Sequence, residues 1–236
     1  MICISCQHEH NDNYCLNCGE KNGVKKITFS TVIEDALSTI TNMDKGLLFN
    51  IKSLLLYPQK ITTDYINGKR KGILNPTSFL IITVSLYLLV ITFFKPPITP
   101  KEIDDVTKSE VRNVLVEVGS FSRTYIKYFW ILSIIPLALS TKLMFRKYNY
   151  VEHLALSSFI MGMSTLLAVF SYLIFKFPLI FDPFVYLSML WLTYRIFKNN
   201  SEKIVSALLA VLALLLFIIQ GVLVLIVIGL FKSSIL

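Results

Sequence analysis

Long uncharged apolar runs fill most of the chain after residue 76, and no such run precedes that point. A helix needs about 20 consecutive apolar residues to cross the hydrocarbon core of a membrane. The hydrophobic share of 54% and the mean hydropathy of +0.63 both exceed what soluble domains usually show. The sequence therefore predicts an all-α polytopic membrane protein that carries a polar N-terminal head.

The apolar runs predict about five transmembrane helices within a membrane domain over residues 76–236. Pro136 is expected to kink the second helix, because proline removes a backbone hydrogen bond. The spans are placed near 76–94, 126–145, 152–175, 179–197 and 205–231.

Lys and Arg are distributed unevenly around these spans. They concentrate before the first span, between the second and third, and between the fourth and fifth. Basic loops stay in the cytoplasm, so the N-terminus is predicted inside and the C-terminus outside. The formal charge of +8 is explained by these flanking residues, and nucleic-acid binding is not expected.

All four cysteines lie in a predicted zinc-ribbon knuckle over residues 1–22. Cys3 and Cys6 form one C-x-x-C pair, and Cys15 and Cys18 form a second pair after eight intervening residues. Four thiolates complete a tetrahedral shell with no open position, which is typical of a structural Zn²⁺ site. A segment of this size cannot bury enough apolar surface to fold alone, so its folding is expected to depend on metal.

The cysteine spacing also allows three other interpretations. Two disulfides and a thioredoxin-type redox pair are disfavoured by a cytoplasmic head and by the lack of a βαβ pattern. Iron bound in the rubredoxin manner stays open. His8 and His10 could replace a ligand, but with four cysteines present they are expected to be solvated loop residues.

Residues 23–75 are predicted to form amphipathic helices on the cytoplasmic side. Apolar residues recur at helical spacing over 29–43 and again over 47–55, and Pro58 opens a shorter helix that ends near Gly68. The helices over 29–57 could lie in the membrane interface or pack on the bundle, and both alternatives are open. The outside loop over 95–125 is also expected to contain an amphipathic helix.

Few ionisable residues accompany the spans. Lys69, Arg70 and Lys71 are expected to set topology and to meet lipid headgroups. Glu152 and His153, at the mouth of the third span, and Asp182, near the outer end of the fourth, are candidates for an intramembrane functional role. The alternatives are interfacial polar groups for the first two and a helix cap for Asp182.

The sequence contains no phosphate-binding loop and no linear catalytic motif, so no enzyme is expected. No internal repeat is evident. Gln220 and Gly221 are interpreted as helix-packing residues. The expected function is a docking or regulatory protein with membrane lipid around it and a protein partner at its head. A small transporter or transporter subunit is the alternative, and oligomeric state is left open.

Short motifs occur along the chain at Cys3, Cys6, Cys15 and Cys18-Gly19, Ile27-Thr28-Phe29, Asp44-Lys45-Gly46, Pro58, Tyr65-Ile66-x-Gly68-Lys69-Arg70, Asn75-Pro76 and Tyr150-x-Glu152-His153. By these motifs the chain resembles an uncharacterised family of bacterial multi-pass membrane proteins with an N-terminal zinc ribbon. One departure is Ile73 and Leu74, where members tend to have an aromatic residue. The resemblance implies a bacterial cytoplasmic (inner) membrane location and brings no activity.

Overall fold

A computed structural model describes residues 2–20, 47–94, 128–199 and 201–233. Within these ranges the chain is helical and has no β-strand, although an isolated antiparallel bridge joins Ile2 to Glu9. The helices are α1 (Leu47–Leu56), α2 (Pro58–Ile66), α3 (Pro76–Phe93), α4 (Ile134–Met144), α5 (Tyr150–Phe175), α6 (Pro183–Phe197) and α7 (Lys203–Ser233).

Three helices are long enough and apolar enough to cross a membrane. They comprise α3, α5 and the part of α7 that runs from Lys203 to Val227. The predicted all-α membrane architecture is confirmed to this extent, whereas the predicted count of five spans is not shown. The predicted amphipathic helix over 29–43 and the loop over 95–125 fall outside the described residues.

The two other predicted spans have shorter helices than expected. For the span at 179–197, a 3-10 turn at Leu179–Phe181 precedes α6, which has only 15 residues. Asp182 caps α6 and Pro183 occupies its first turn, so this helix begins at Pro183 and not at residue 179. In the span at 126–145, residues 128–132 are helical and a turn at Ser133 separates them from α4. Pro136 explains this irregularity, because it has no N–H to donate to the preceding turn.

Helix α5 is the centre of the bundle. It packs against α3, α4 and α6, while α7 packs on α4 and α6. Bulky apolar side chains from α3, α5 and α6 fill the space between these helices with almost no exposure. They include Phe79, Leu80, Leu156, Phe159, Ile160, Met189 and Leu192.

Helices α1 and α2 pack on the bundle, in agreement with one of the two alternatives for residues 29–57, of which residues 29–46 lie outside the described residues. The Tyr65 ring meets Phe159 of α5 edge to face, with 5.6 Å between centroids. Gln59 of α2 donates a hydrogen bond to the Lys198 carbonyl at the end of α6. Buried apolar residues of both helices, such as Leu54, belong to the same core as α5.

A buried amide connects α1 to the start of α3. The Oδ1 atom of Asn50 accepts a hydrogen bond from the backbone N–H of Leu74 at 2.9 Å, and Asn50 is fully buried. Asn75, the next residue, caps α3 by accepting a hydrogen bond from the N–H of Thr77. These contacts hold the segment before α3 in one conformation.

The close helix approach lies at Gly162 and not at Gly221. A Cβ atom at position 162 would lie 2.6 Å from a Phe79 ring atom and 3.3 Å from the Leu80 Cα atom. A Cβ at position 221 would meet no atom within 4 Å among the described residues, which corrects the packing interpretation of Gly221. Its neighbour Gln220 does contact another helix, because Ser140 Oγ donates to Gln220 Oε1 at 3.4 Å.

We expect Gly162→Val to destabilise the bundle, because the added carbons must push α3 away from α5. Overpacking of this kind costs about 1–3 kcal/mol, which corresponds to a thermal midpoint lower by about 3–10 °C for a chain of this size. Gly221→Val is the matched control and should leave the midpoint almost unchanged. Thermal unfolding of the purified protein in detergent measures both; equal midpoints would contradict the assignment of Gly162 as the close approach.

Candidate metal centre

The head is built from two copies of one backbone motif, twelve residues apart. In the first copy the N–H of Cys3 donates to the carbonyl of His8, and in the second the N–H of Cys15 donates to the carbonyl of Glu20. A second hydrogen bond, from Gln7 to the Cys3 carbonyl, likewise recurs between Gly19 and the Cys15 carbonyl. Each C-x-x-C pair therefore forms the same tight knuckle.

This duplication corrects the expectation that no internal repeat is present. The repeat is visible in the sequence when Ile2-Cys3-Ile4-x-Cys6 is aligned with Tyr14-Cys15-Leu16-x-Cys18. The repeat is short, and only the cysteines are identical in it, so a search for long periods passes over it.

Each knuckle ends in a residue with left-handed backbone. Gln7 has φ of 60° and Gly19 has φ of 68°. Glycine adopts this conformation without steric cost, whereas glutamine has a Cβ atom that crowds the backbone. The two knuckles are thus equivalent in shape but not in strain.

The knuckles bring the four cysteine sulfurs together. All four Sγ atoms lie within 4.8 Å of one another, and two of the separations, Cys3 to Cys18 and Cys6 to Cys15, are 3.5 Å. In a tetrahedral site with Zn–S bonds of 2.3 Å, the sulfurs are about 3.8 Å apart. The observed spacing fits such a site, and neither His8 nor His10 belongs to the group.

The geometry also bears on the disulfide alternative. All four cysteines are free, and a sulfur separation of 3.5 Å is far longer than the bond of about 2.05 Å in a disulfide. The predicted metal-binding cluster is therefore confirmed as a group of four close thiols. Cys3 and Cys15 are buried, so the head surrounds at least these two sulfurs.

The electrostatics of the cluster favour a cation at its centre. Backbone hydrogen bonding from Cys6 lowers the pKa of the Cys3 thiol. Burial opposes ionisation of Cys15, but backbone hydrogen bonds from Cys18 and Asn17 outweigh it and lower its pKa to about 7. At Cys18 a backbone hydrogen bond from Glu20 is outweighed by burial and by the other sulfurs, which raise the pKa to about 12. A bound cation removes this mutual repulsion.

Glu152 forms a capping box at the start of α5. Its Oε2 atom accepts a hydrogen bond from the backbone N–H of Asn149, and the Asn149 side chain accepts one from the N–H of Glu152. Both bonds satisfy groups that a helix start leaves unpaired. These contacts account for the carboxylate as a structural element.

His153, the next residue, is fully buried between α4, α5 and α6. Its Nδ1 lies 3.0 Å from Thr141 Oγ1, and its ring stacks on Phe197 at 5.1 Å. Nε2 has no partner of acceptable hydrogen-bond geometry within the described residues, although the Phe145 carbonyl lies near the imidazole. The structure thus places the Glu152 and His153 side chains in different contacts, as expected for adjacent helix residues.

Asp182 is the N-cap of α6. Its Oδ1 atom accepts a hydrogen bond from the N–H of Phe184 at 2.9 Å, and the residue is fully buried. Oδ2 is buried and has no hydrogen-bond partner in the part of the chain that the structure describes. The cap alternative for Asp182 therefore matches the geometry.

The basic residues after α2 have three different environments. Lys69 forms a salt bridge with Asp64 at 3.5 Å, and the Arg70 guanidinium lies 5.4 Å from the centre of the Tyr65 ring. Lys71 is exposed, and its Nζ atom lies beside Gly19 of the head, 2.6 Å from the position of a Cβ atom there. No pattern in the sequence predicts this last proximity.

An apolar cavity of about 310 Å³ lies between residues 128–136, Ile180, α6 and α7. Its walls include Trp130, Pro136 and Gly221, and its lining contains none of Glu152, His153 and Asp182. The ionisable candidates therefore do not converge on this cavity.

A family model described as a protein of unknown function, DUF3667, matches residues 44–88. This segment covers less than half of the chain and contains α1, α2, the basic residues and most of α3. The chain is similar to that family over this part, in agreement with the resemblance to an uncharacterised family. No curated protein and no solved structure matches the chain.

We expect purified protein to hold one metal ion per chain, and Cys15→Ser to lose it and unfold the head. The helical domain should stay folded, because its backbone hydrogen bonds are made within the helices. Metal analysis with far-ultraviolet circular dichroism measures both effects. Full metal occupancy in a Cys15→Ser, Cys18→Ser double variant would show that this site is wrong.

We expect Gln7→Gly to increase metal affinity, because glycine removes the left-handed strain of the first knuckle. The gain should be about 0.5–1 kcal/mol, or about two- to fivefold in affinity, after the greater freedom of glycine in the unfolded head is subtracted. Ser5→Gly, in the same knuckle but without positive φ, is the control and should lower the affinity. Chelator competition provides the measurement, and equal shifts for both variants would contradict the strain argument.

Proposed function

We propose that this chain is a non-enzymatic docking or regulatory protein of the bacterial cytoplasmic membrane, whose metal-organised head binds a protein partner. The cytoplasmic head would be held together by a structural zinc ion, and the helical domain would anchor it. The observation that carries the proposal is the pattern of apolar side chains on the head.

The two knuckles present apolar side chains to solvent at equivalent positions. Ile4 and Leu16 each follow the first cysteine of a pair and are 45% and 80% exposed. Ile2 and Tyr14 each precede that cysteine and are also exposed. Exposed apolar side chains repeated on a rigid scaffold are typical of a protein-binding surface. We refer to these four residues as the knuckle surface.

The charge of the head favours a protein partner over lipid or nucleic acid. Residues 2–20 contain three acidic side chains, at Glu9, Asp12 and Glu20, and no Lys or Arg. Anionic headgroups and phosphate backbones repel such a head. The partner is expected to combine an apolar pocket with a basic rim.

Zinc is the proposed ion because four cysteines in a closed tetrahedral shell match its usual structural sites. Iron in the same shell is the alternative, and metal analysis of the wild-type protein separates the two. Zinc with no iron supports the assignment; iron would replace it.

Five crossings with the N-terminus inside remain the proposed topology. Support comes from the common core that α4 and α6 share with the three long helices, and from the uneven placement of Lys and Arg. The contacts of Glu152 and Asp182 with helix N-termini give no support to the transport alternative, which needs these groups beside a hydrated path.

We expect an Ile4→Ser, Leu16→Ser double variant to lose partner binding while keeping its metal. Two anchors of this kind contribute about 1–3 kcal/mol, so the partner's Kd should rise about 5- to 150-fold. Leu48→Ser is the matched control, because Leu48 is as exposed as Leu16, at 80%, but lies on α1.

The experiment compares proteins captured from host extract by the zinc-loaded full chain and by each variant, followed by direct titration of the recovered partner. Selective loss with the double variant supports the knuckle surface. Equal capture by wild type, double variant and control, or no specific capture by folded and metal-loaded wild type, would contradict the proposed function.

A further inference from the structure

We infer that the metal-loaded head docks on the turn between α2 and α3 of its own chain, so that metal loading is coupled to the membrane domain. We call residues 68–72, which hold Lys69, Arg70 and Lys71, the basic turn. The direct observation is the position of the Lys71 ammonium against the second knuckle, 2.6 Å from where a Cβ on residue 19 would lie.

Lys71 is the residue of the basic turn that is free to make this contact. Lys69 is engaged by Asp64, and Arg70 lies over the Tyr65 ring. Lys71 is exposed and has no salt bridge to an acidic side chain among the described residues. Its charge can therefore act on the head, which is the oppositely charged group beside it.

Metal loading strengthens this attraction. Residues 2–20 contain three acidic side chains and no Lys or Arg. A divalent ion bound by four thiolates forms a unit of net charge −2, which adds to these acidic side chains in the part of the head that lies next to Lys71. Because the head also needs the ion to fold, the apo head lacks both the charge and the knuckle that Lys71 meets.

The basic turn is connected rigidly to the membrane helices. Lys69 donates its N–H to the Asp64 carbonyl at the end of α2, and Ile73 donates to the Arg70 carbonyl. Leu74 is held by the buried Asn50 side chain of α1, and Asn75 caps α3. These hydrogen bonds couple the position of Lys71 to α1, α2 and the start of α3. All of these elements lie within the segment that matches the family model.

Docking in this way leaves the knuckle surface available. Ile4 and Leu16 are exposed while Lys71 lies at Gly19. The basic turn thus orients the head with its apolar side chains away from the contact. The docking depends on the metal site and not on the identity of any partner, so it extends the proposed function without requiring it.

The first test is zinc retention by the full chain in phosphatidylcholine nanodiscs challenged with a chelator. Lys71→Glu should shorten the half-life of bound zinc about three- to tenfold at low salt, because a partner that binds only the loaded head slows its unfolding. Lys60→Glu, an exposed lysine of α2, is the control and should match wild type. At 1 M salt, where the Debye length is about 3 Å, the difference should fall below about twofold.

The second test is hydrogen–deuterium exchange of residues 68–74 with and without zinc. Removing zinc should speed exchange there in wild type and in Lys60→Glu, whereas Lys71→Glu should exchange fast in both states. Equal zinc retention in the two lysine variants would overturn the docking. So would amide exchange in the basic turn of wild type that is the same with and without zinc. Retention that increases with anionic lipid content would also overturn it, in favour of a head bound to the membrane.

These readouts separate the inference from the proposed function. If folded, metal-loaded wild type captures no specific partner but its zinc coupling is intact, the proposed partner surface is removed and the docking stays in place. Normal partner capture in Lys71→Glu, with zinc coupling absent from wild type, removes the docking alone.

Discussion

The contact between α3 and α5 at Gly162 is the one on which the arrangement of the other helices depends. Because residue 162 has no side chain, Phe79 and the backbone of Leu80 come against α5 itself. Burying apolar surface between helices yields little inside a membrane, where lipid tails are equally apolar, so close van der Waals packing decides the geometry. With α3 held there, α5 becomes the buried centre on which α4, α6 and α2 find their positions.

The head is stabilised by a different kind of interaction. It is too small to form an apolar core, and its exposed Ile4 and Leu16 show that apolar burial does not organise it. Backbone hydrogen bonds shape two equivalent knuckles and bring the four sulfurs together. Binding of a cation by these sulfurs then supplies the remaining free energy that the head needs to fold. Stability of the head and of the membrane domain therefore come from separate sources, and electrostatics is the means by which the two can communicate.

Polar residues near the ends of the apolar helices serve the backbone. Asn75, Asn149 with Glu152, and Asp182 each accept hydrogen bonds from N–H groups in a first helical turn. In a chain whose helices end in or near a membrane, these groups cannot rely on water. Capping therefore explains an ionisable residue at a helix N-terminus without a role in transport.

Interactions between residues close in sequence were determined by the sequence alone. The two C-x-x-C pairs define the metal cluster, Asn75-Pro76 and Asp182-Pro183 define helix starts, and the apolar runs define a helical membrane protein, because each depends on short-range chemistry. Tertiary structure decided what depends on distant partners. It put α1 and α2 on the bundle, moved the close approach from Gly221 to Gly162 and set Lys71 beside the head. These outcomes depend on which helix surfaces pack together in three dimensions. A linear pattern of apolar and basic residues does not determine them, because it is compatible with more than one packing arrangement.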